Sequence, residues 1–358
     1  MLAAVAFISV LGLLVFGHEL GHFLAAKKFG VKVEEFGFGF PPRLFGIKKG
    51  DTIYSLNLIP LGGFVKILGE DGEEKGNPRS FAYKKIWQRA IILSAGVLMN
   101  IILAIGLASL SYFFGTPTPI DDNENVENAW VQIIHVDKNS PASLAGIKAG
   151  DIIMALESEG AIFQDIKKAS DFQSFVASHK DQKILIYIKR GQQNFAVEVT
   201  PRPEPPSGQG PLGVVLSRIF IKKYSWQRAI YEGAATVFDL LLAIFLGLGY
   251  FLWQLIFQTK VVGEVTGPIG IFNLTGQAAQ LGFVYLINLT VFLSLNLAVV
   301  NIMPFPALDG GRLLFLLIEK IKGRPIKQAV EKIIHSIGFI LLLLLMAFIT
   351  LRDILKIF

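Results

Sequence analysis

The chain has 358 residues, 52% of them hydrophobic, a formal net charge of +6 and no cysteine. That apolar content excludes an ordinary soluble enzyme. The missing cysteine excludes a disulfide framework and any thiolate metal site, so a bound zinc would need histidine and carboxylate ligands.

Residues 2–26 form an apolar run long enough to cross hydrocarbon, interrupted by His18-Glu19-Leu20-Gly21-His22. A signal peptide is the alternative for Met1 to Phe16, but there is no basic n-region and the apolar run continues past the motif, which favours a retained span. On a helix, positions i and i+4 share a face. His18 and His22 can therefore offer two imidazole nitrogens to one Zn²⁺, with Glu19 beside them as general base. The plain alternative is two histidines and a glutamate at a membrane boundary with no metal. Lys27, Lys28 and Lys32 follow this run, and Lys84, Lys85 and Arg89 precede the next, Ala90 to Phe114. Such flanks mark the cytoplasmic side, so the first span runs inward with both histidines toward its inner end. Basic residues placed beside apolar segments point to membrane anchoring and away from nucleic acid.

Between these spans, Phe36-Gly37-Phe38-Gly39-Phe40-Pro41-Pro42 suits either a hairpin dipping into the membrane or a surface turn. Thr52 to Ile59 alternates as a strand, Pro60 to Gly63 breaks it, and Phe64 to Leu68 resumes it, which predicts a membrane-associated β-hairpin. Its edge would hold an extended substrate, with Ile53, Leu56, Leu58, Gly62 and Gly63 as candidate substrate-binding residues. In the second span Gly96, Asn100, Ala104 and Ala108 share a face suited to close helix packing. An acidic exit at Asp121, Asp122, Glu124 and Glu127 then agrees with the outer side.

Residues 129–217 read as a water-exposed α+β module, with strands at 131–134, 152–154, 184–189 and 195–200 and helices at 140–146 and 170–178. The run from Asn139 to Ile153 resembles a PDZ domain. That resemblance implies a peptide groove whose carboxylate-binding loop is Gly210, Pro211, Leu212, Gly213 and Val214, placed last as in bacterial permuted PDZ domains. A possible peptide ligand and a purely steric spacer are both open.

Ala234 to Phe257 is apolar, and Val284 to Met303 is a clear span that precedes Lys320, Lys322, Arg324, Lys327 and Lys332. With the module outside and this basic segment inside, an even number of crossings must separate residues 229 and 283. Glu264 to Gly282 is too polar to supply one, so 234–257 should lie in the interface or re-enter. Asp309 follows the Pro304 and Pro306 breaks. It either caps the next helix or, at the inner end of its span, supplies the carboxylate that a two-histidine zinc lacks. Asn301 either packs between helices or bonds freed substrate backbone. The last span, about 337–351, returns outward, against the weak contrary signal of Arg352 and Lys356.

His18-Glu19-Leu20-Gly21-His22, Ile59 to Lys66, Asn301 to Pro306 and Leu308-Asp309-Gly310-Gly311, with the PDZ-like insertion between the second span and the aspartate-bearing one, resemble the bacterial site-2 protease family, regulator of sigma-E protease type. The resemblance covers nearly the whole chain, with one PDZ module where that type commonly has two. It implies an intramembrane zinc metalloprotease of the bacterial inner membrane. Its substrates would be single-span proteins such as anti-sigma factors, or remnant signal peptides. One Zn²⁺ would be held by His18, His22 and Asp309, with Glu19 catalytic. The expected fold is a polytopic α-helical membrane protein with about four transmembrane helices. Its parts are 1–115 with the first two spans and the hairpin, 116–218 as the extracytoplasmic PDZ-like domain, 219–282 as an interfacial or re-entrant region, and 283–358 with the last two spans. The rival classes are an inactive PDZ-bearing membrane scaffold and a metal transporter. An intact Glu19 disfavours the first, and too few ligands along other spans disfavour the second.

Overall fold

The computed structural model describes residues 1–70, 74, 76–164, 166–257 and 266–355. They form two compact units, one of residues 1–111, 226–279 and 286–358, the other of 112–225 with 280–285.

In the first unit, α1 (Leu2–Lys28) is followed by β1 (Val33–Lys49) and β2 (Thr52–Ile67), then by α2 (Ile86–Phe114). Beyond the second unit come α5 (Trp226–Phe257), α6 (Pro268–Leu281), α7 (Phe283–Ile302), α8 (Asp309–Lys322) and α9 (Gln328–Leu355). Five of these helices, α1, α2, α5, α7 and α9, are long and apolar enough to cross a membrane, one more than the expected four. The fifth is α5, which contains the 234–257 stretch. Residues 258–265, including Glu264, lie outside the described residues, as does Lys356.

Side-chain contacts fix the relative sense of three helices. Ser111 of α2 donates to Asn288 of α7 at 2.6 Å, and Ser294 donates to the Asn100 carbonyl at 2.8 Å. Asn301 at the far end of α7 lies 3.3 Å from His18 of α1. Helix α7 therefore runs opposite to α2 and along α1. Val237 on α5, Ala104 and Ala108 on α2, and Ile287, Val291 and Leu295 on α7 bury one another along this bundle.

The region 33–67 corrects two expectations. Residues 36–42 are strand, not a turn or a re-entrant loop. Gly37 serves close packing instead, because a Cβ there would lie 2.5 Å from the Phe64 ring and 2.8 Å from Ser55 Oγ. The two predicted hairpin strands are one continuous β2, and its halves are not neighbours. Residues 35–38 pair with 63–66 on one side and 53–56 on the other, while 43–49 pair with 52–57. Both long strands thus fold back into a mixed sheet ordered 43–49, 52–57, 35–38, 63–67, in which 35–38 runs parallel to 53–56 and the other neighbours are antiparallel. Long-range pairing of this kind leaves no local sequence signal.

The second unit is a seven-stranded antiparallel sheet ordered β3 (Thr116–Ile120), β9 (Val214–Lys222), β4 (Trp130–Val136), β5 (Ile152–Ser158), β7 (Ile184–Arg190), β8 (Gln193–Val199), with β6 (Ala161–Phe163) on β5. Helices α3 (Pro141–Leu144) and α4 (Ala169–Ser178) accompany it. Alternating residues of the strands and Phe172 and Val176 of α4 bury a single aliphatic core. Asp151, fully buried, is held by Arg190 at 2.6 and 2.7 Å. The Asp122 carboxylate accepts from the backbone N–H groups of Ala169 and Ser170, the first turn of α4.

Candidate metal centre

The four-residue spacing on α1 sets His18 and His22 on one face, with Nε2 atoms 3.2 Å apart. Asp309 Oδ2, the first side chain of α8, lies 3.0 Å from His18 Nε2 and 3.3 Å from His22 Nε2. Both histidines are buried. Zinc bonds of about 2.0–2.1 Å place tetrahedral ligand atoms about 3.3 Å apart, so the three donors already have the edge lengths of a zinc site. Asp309 Oδ2 is buried with no hydrogen-bond partner, an orphan that a cation would satisfy. These three side chains are also the group of ligand atoms close enough to hold a metal among the described residues.

Three glycines make room for this cluster. Gly21 faces Ala95 on α2 with no space for a side chain, since a Cβ would lie 2.7 Å from the Ala95 carbonyl carbon. A Cβ on Gly96 would lie 2.7 and 2.8 Å from the His18 ring. The expected small-residue face of α2 is therefore a helix contact, and it also accommodates both imidazoles. At the other side, Gly311 lies under the 305–306 backbone, where a Cβ would be 2.8 Å from the Phe305 carbonyl carbon. Asp309 caps nothing: Leu308 is the N-cap of α8, without a side-chain capping bond, and the Asp309 carboxylate points to the histidines.

The outer ring nitrogens fix the histidine orientations. His22 Nδ1 donates to the Ile92 carbonyl at 2.8 Å, which leaves Nε2 bare toward Asp309. His18 Nδ1 lies 3.4 Å from the Asn100 side-chain amide, whose oxygen is buried without a partner. Turning that amide over lets Nδ1–H donate to the oxygen and leaves the His18 Nε2 lone pair free. Asn100, which the sequence suggested as a helix-contact residue able to hydrogen-bond across the contact, thus orients a histidine.

Glu19 Oε2 accepts the Val65 N–H at 3.1 Å. Val65 belongs to 63–67, the outermost segment of the sheet, so its N–H is unpaired within the sheet and faces Glu19. Of the candidate substrate residues, Gly63 comes close, with a Cβ there 3.9 Å from Glu19 Cγ, and Gly62 packs on Val15 of α1. Ile53 and Leu56 sit in a segment paired on both sides, and Leu56 and Leu58 are half-exposed. Asn301 is at the centre, 3.3 Å from His18 Nε2. Gly210, Leu212, Gly213 and Val214 belong to the other unit. A cavity of about 250 Å³ contains His18, Glu19, His22, Val65 and Asp309, together with the Glu70–Arg312 ion pair.

A family profile described as peptidase family M50 matches residues 6–345. The chain belongs to peptidase family M50. This is the site-2 protease family, and the chain is a zinc metalloprotease with zinc as its cofactor. Among relatives of this M50 peptidase, the Clostridium perfringens protein CPE1693 is 36% identical over 351 residues, 95% of each chain. The regulator of sigma-W protease RasP of Bacillus subtilis is 30% identical over 435 residues, covering 99% of this chain and 98% of its own. The zinc metalloprotease RasP of Bacillus licheniformis is 29% identical over the full length of both. The RasP alignments run past the 358 residues of this chain, so those relatives carry internal insertions that it lacks.

Proposed function

We propose that this M50 peptidase cleaves membrane-spanning segments within the bilayer, using His18, His22 and Asp309 as the zinc ligands and Glu19 as general base and acid. The observation that carries the reading is the meeting of the three donor atoms, 3.0–3.3 Å apart, beside a carboxylate bonded to an open strand edge. A zinc ion held by His18, His22 and Asp309 would supply Lewis acidity, which lowers the pKa of bound water toward ~7. Glu19 takes up the proton of the attacking water at its carboxylate and delivers it to the departing amine nitrogen. A helical substrate has its carbonyls locked in hydrogen bonds and must be drawn out first. Segment 63–67, the outermost of the sheet, is the edge proposed for strand addition, which would hold the unwound backbone beside Glu19, whose carboxylate accepts the Val65 N–H. Asn301, at the same centre, can donate to a carbonyl freed by unwinding.

The substrates we propose are single-span proteins already trimmed outside, such as anti-sigma factors, or remnant signal peptides. The name of the Bacillus subtilis relative, a regulator of sigma-W protease, supports the former. Replacing Glu19 by Gln tests the reading: cleavage of a labelled single-span substrate should fall by roughly 10²–10⁴-fold with zinc content unchanged. Cleavage at the wild-type rate would reject Glu19 as the general base.

Residues 112–225 are proposed as an extracytoplasmic PDZ-like domain. Strand β9 pairs with β4 over 214–219 but with β3 only over 218–222. Residues 214–217 therefore keep one edge without a strand partner among the described residues, as a peptide groove requires. The active site is proposed to face the cytoplasm. Because α7 runs along α1 and opposite to α2, the chain from 115 to 282 should return to the outer side, with α5 and α6 interfacial or re-entrant. Single cysteines at Lys223 and Gly282 should both react with an impermeant thiol reagent added outside; reaction of either only from the cytoplasm would contradict this topology. Replacing residues 129–217 with a short flexible link should spare a trimmed substrate and speed cleavage of an untrimmed one, as a size gate predicts.

A further inference from the structure

Asp309 is carried by the loop between α7 and α8, and that loop takes an uncommon path. Ala307, two residues before Asp309, has φ +77°, in the left-handed region that residues with a Cβ rarely adopt. Its N–H is not bonded within the loop. It donates to His335 Nδ1 on α9 at 2.9 Å, so His335 is neutral there and carries its proton on Nε2. One turn along α9, Gly338 is buried against the same loop: a Cβ would lie 2.5 Å from Pro306 Cβ and 2.6 Å from its carbonyl oxygen. The His335 ring also packs on Phe315 of α8, with centroids 5.2 Å apart. One face of α9 thus grips both the loop that leads into Asp309 and the helix that follows it.

We infer that His335 is a positioning residue for the zinc site: by accepting the Ala307 N–H it fixes the left-handed turn that aims the Asp309 carboxylate at His18 and His22. The inference rests on the proposed His18, His22 and Asp309 ligand set. Zinc tolerates ligand distances within about ±0.2 Å, so a turn that relaxes by a fraction of an ångström withdraws the third donor. Helix α9 is accordingly part of the catalytic frame as well as a membrane segment. A lone histidine 26 residues beyond Asp309 gives no motif by which this could be read from the sequence.

The test uses full-length protein in detergent and reads zinc affinity by competition with a chromogenic chelator, alongside kcat and KM. His335→Leu keeps apolar bulk against Phe315 and removes the acceptor; it should weaken zinc binding by roughly 10–100-fold and lower kcat with KM little changed. His335→Asn places an oxygen near the Nδ1 position and should restore affinity to within a few-fold of wild type. Gly338→Ala keeps His335 but pushes α9 off Pro306, and should weaken zinc as His335→Leu does. Asp309→Asn is the control. If it retains zinc, the ligand set itself is wrong. If it loses zinc while His335→Leu binds with wild-type affinity, the positioning role is overturned. Should His335→Leu fail to accumulate, wild-type zinc affinity in Gly338→Ala overturns it equally.

Discussion

In residues 112–225 the innermost side chains are large aliphatics: Ile133, Leu156, Ile184, Ile186 and Ile188 are each at most 1% exposed. Around the candidate metal centre polar side chains share the interior with aliphatics such as Ile92 and Leu295: His18, His22, Asn100 and Ser294 are all buried there, and the helices meet at Gly21 and Gly96. The difference follows from the solvent each unit would face. A water-exposed sheet gains by removing apolar area from water, about 25 cal/mol per Å². A helix in lipid gains little by exchanging tail contacts for leucine contacts, so close backbone approach and interhelical hydrogen bonds hold the bundle. Substitutions in the first unit should therefore damage zinc binding and turnover, whereas those in the second should damage the stability of that unit alone.

The largest effect should come from Asp309→Asn. Peptide cleavage should fall by roughly 10³-fold or more with loss of zinc, while the protein still inserts. Retention of activity with zinc still bound would reject Asp309 as a ligand. Next is Gly96→Val, whose side chain would occupy the position of the His18 ring; metal content measured by atomic absorption should drop well below one zinc per chain. Asn100→Ala removes the oxygen that orients His18 and should cost roughly 10–100-fold in zinc affinity. Smallest for catalysis is Ile186→Ala. It should destabilise the sheet unit by about 2–5 kcal/mol in a melt of that unit, yet leave cleavage of a trimmed substrate within about twofold. Equal loss of zinc in Ile186→Ala and Gly96→Val would erase the distinction between the two units.

The same contrast explains which parts could be read from the sequence. His18, Glu19, His22 and Asp309 stand out because ionisable groups in apolar runs are costly and so are rarely accidental. The strands of the β module were legible because alternation and turn residues are local signals, and those at 131–134, 184–189 and 195–200 are found with boundaries shifted by a few residues. At 33–67 the strand character of 52–59 and 64–68 was legible, but the first strand and the order of the sheet were not. Its Gly, Phe and Pro residues read as a turn, and only pairing across the chain makes Gly37 a packing position and 63–67 the edge. Asn100 and His335 were obscure for a related reason: each acts through a single bond to a distant segment, and periodicity carries no trace of it. Helix α5 exposes the remaining ambiguity, since length and apolarity alone qualify it as a span while the directions of α1, α2 and α7 ask for an even number of crossings.

The most direct measurement is the position of the cut. A purified single-span substrate, reconstituted with the peptidase in vesicles, can be digested and its products weighed by mass spectrometry, with Glu19→Gln protein as the blank. Cleavage at a bond inside the apolar segment, absent with Glu19→Gln and abolished by zinc chelation, is the result predicted by a metal centre buried among membrane-spanning helices and served by an open strand edge. Products cut only outside the apolar segment, or the same products from the Glu19→Gln protein, would contradict it.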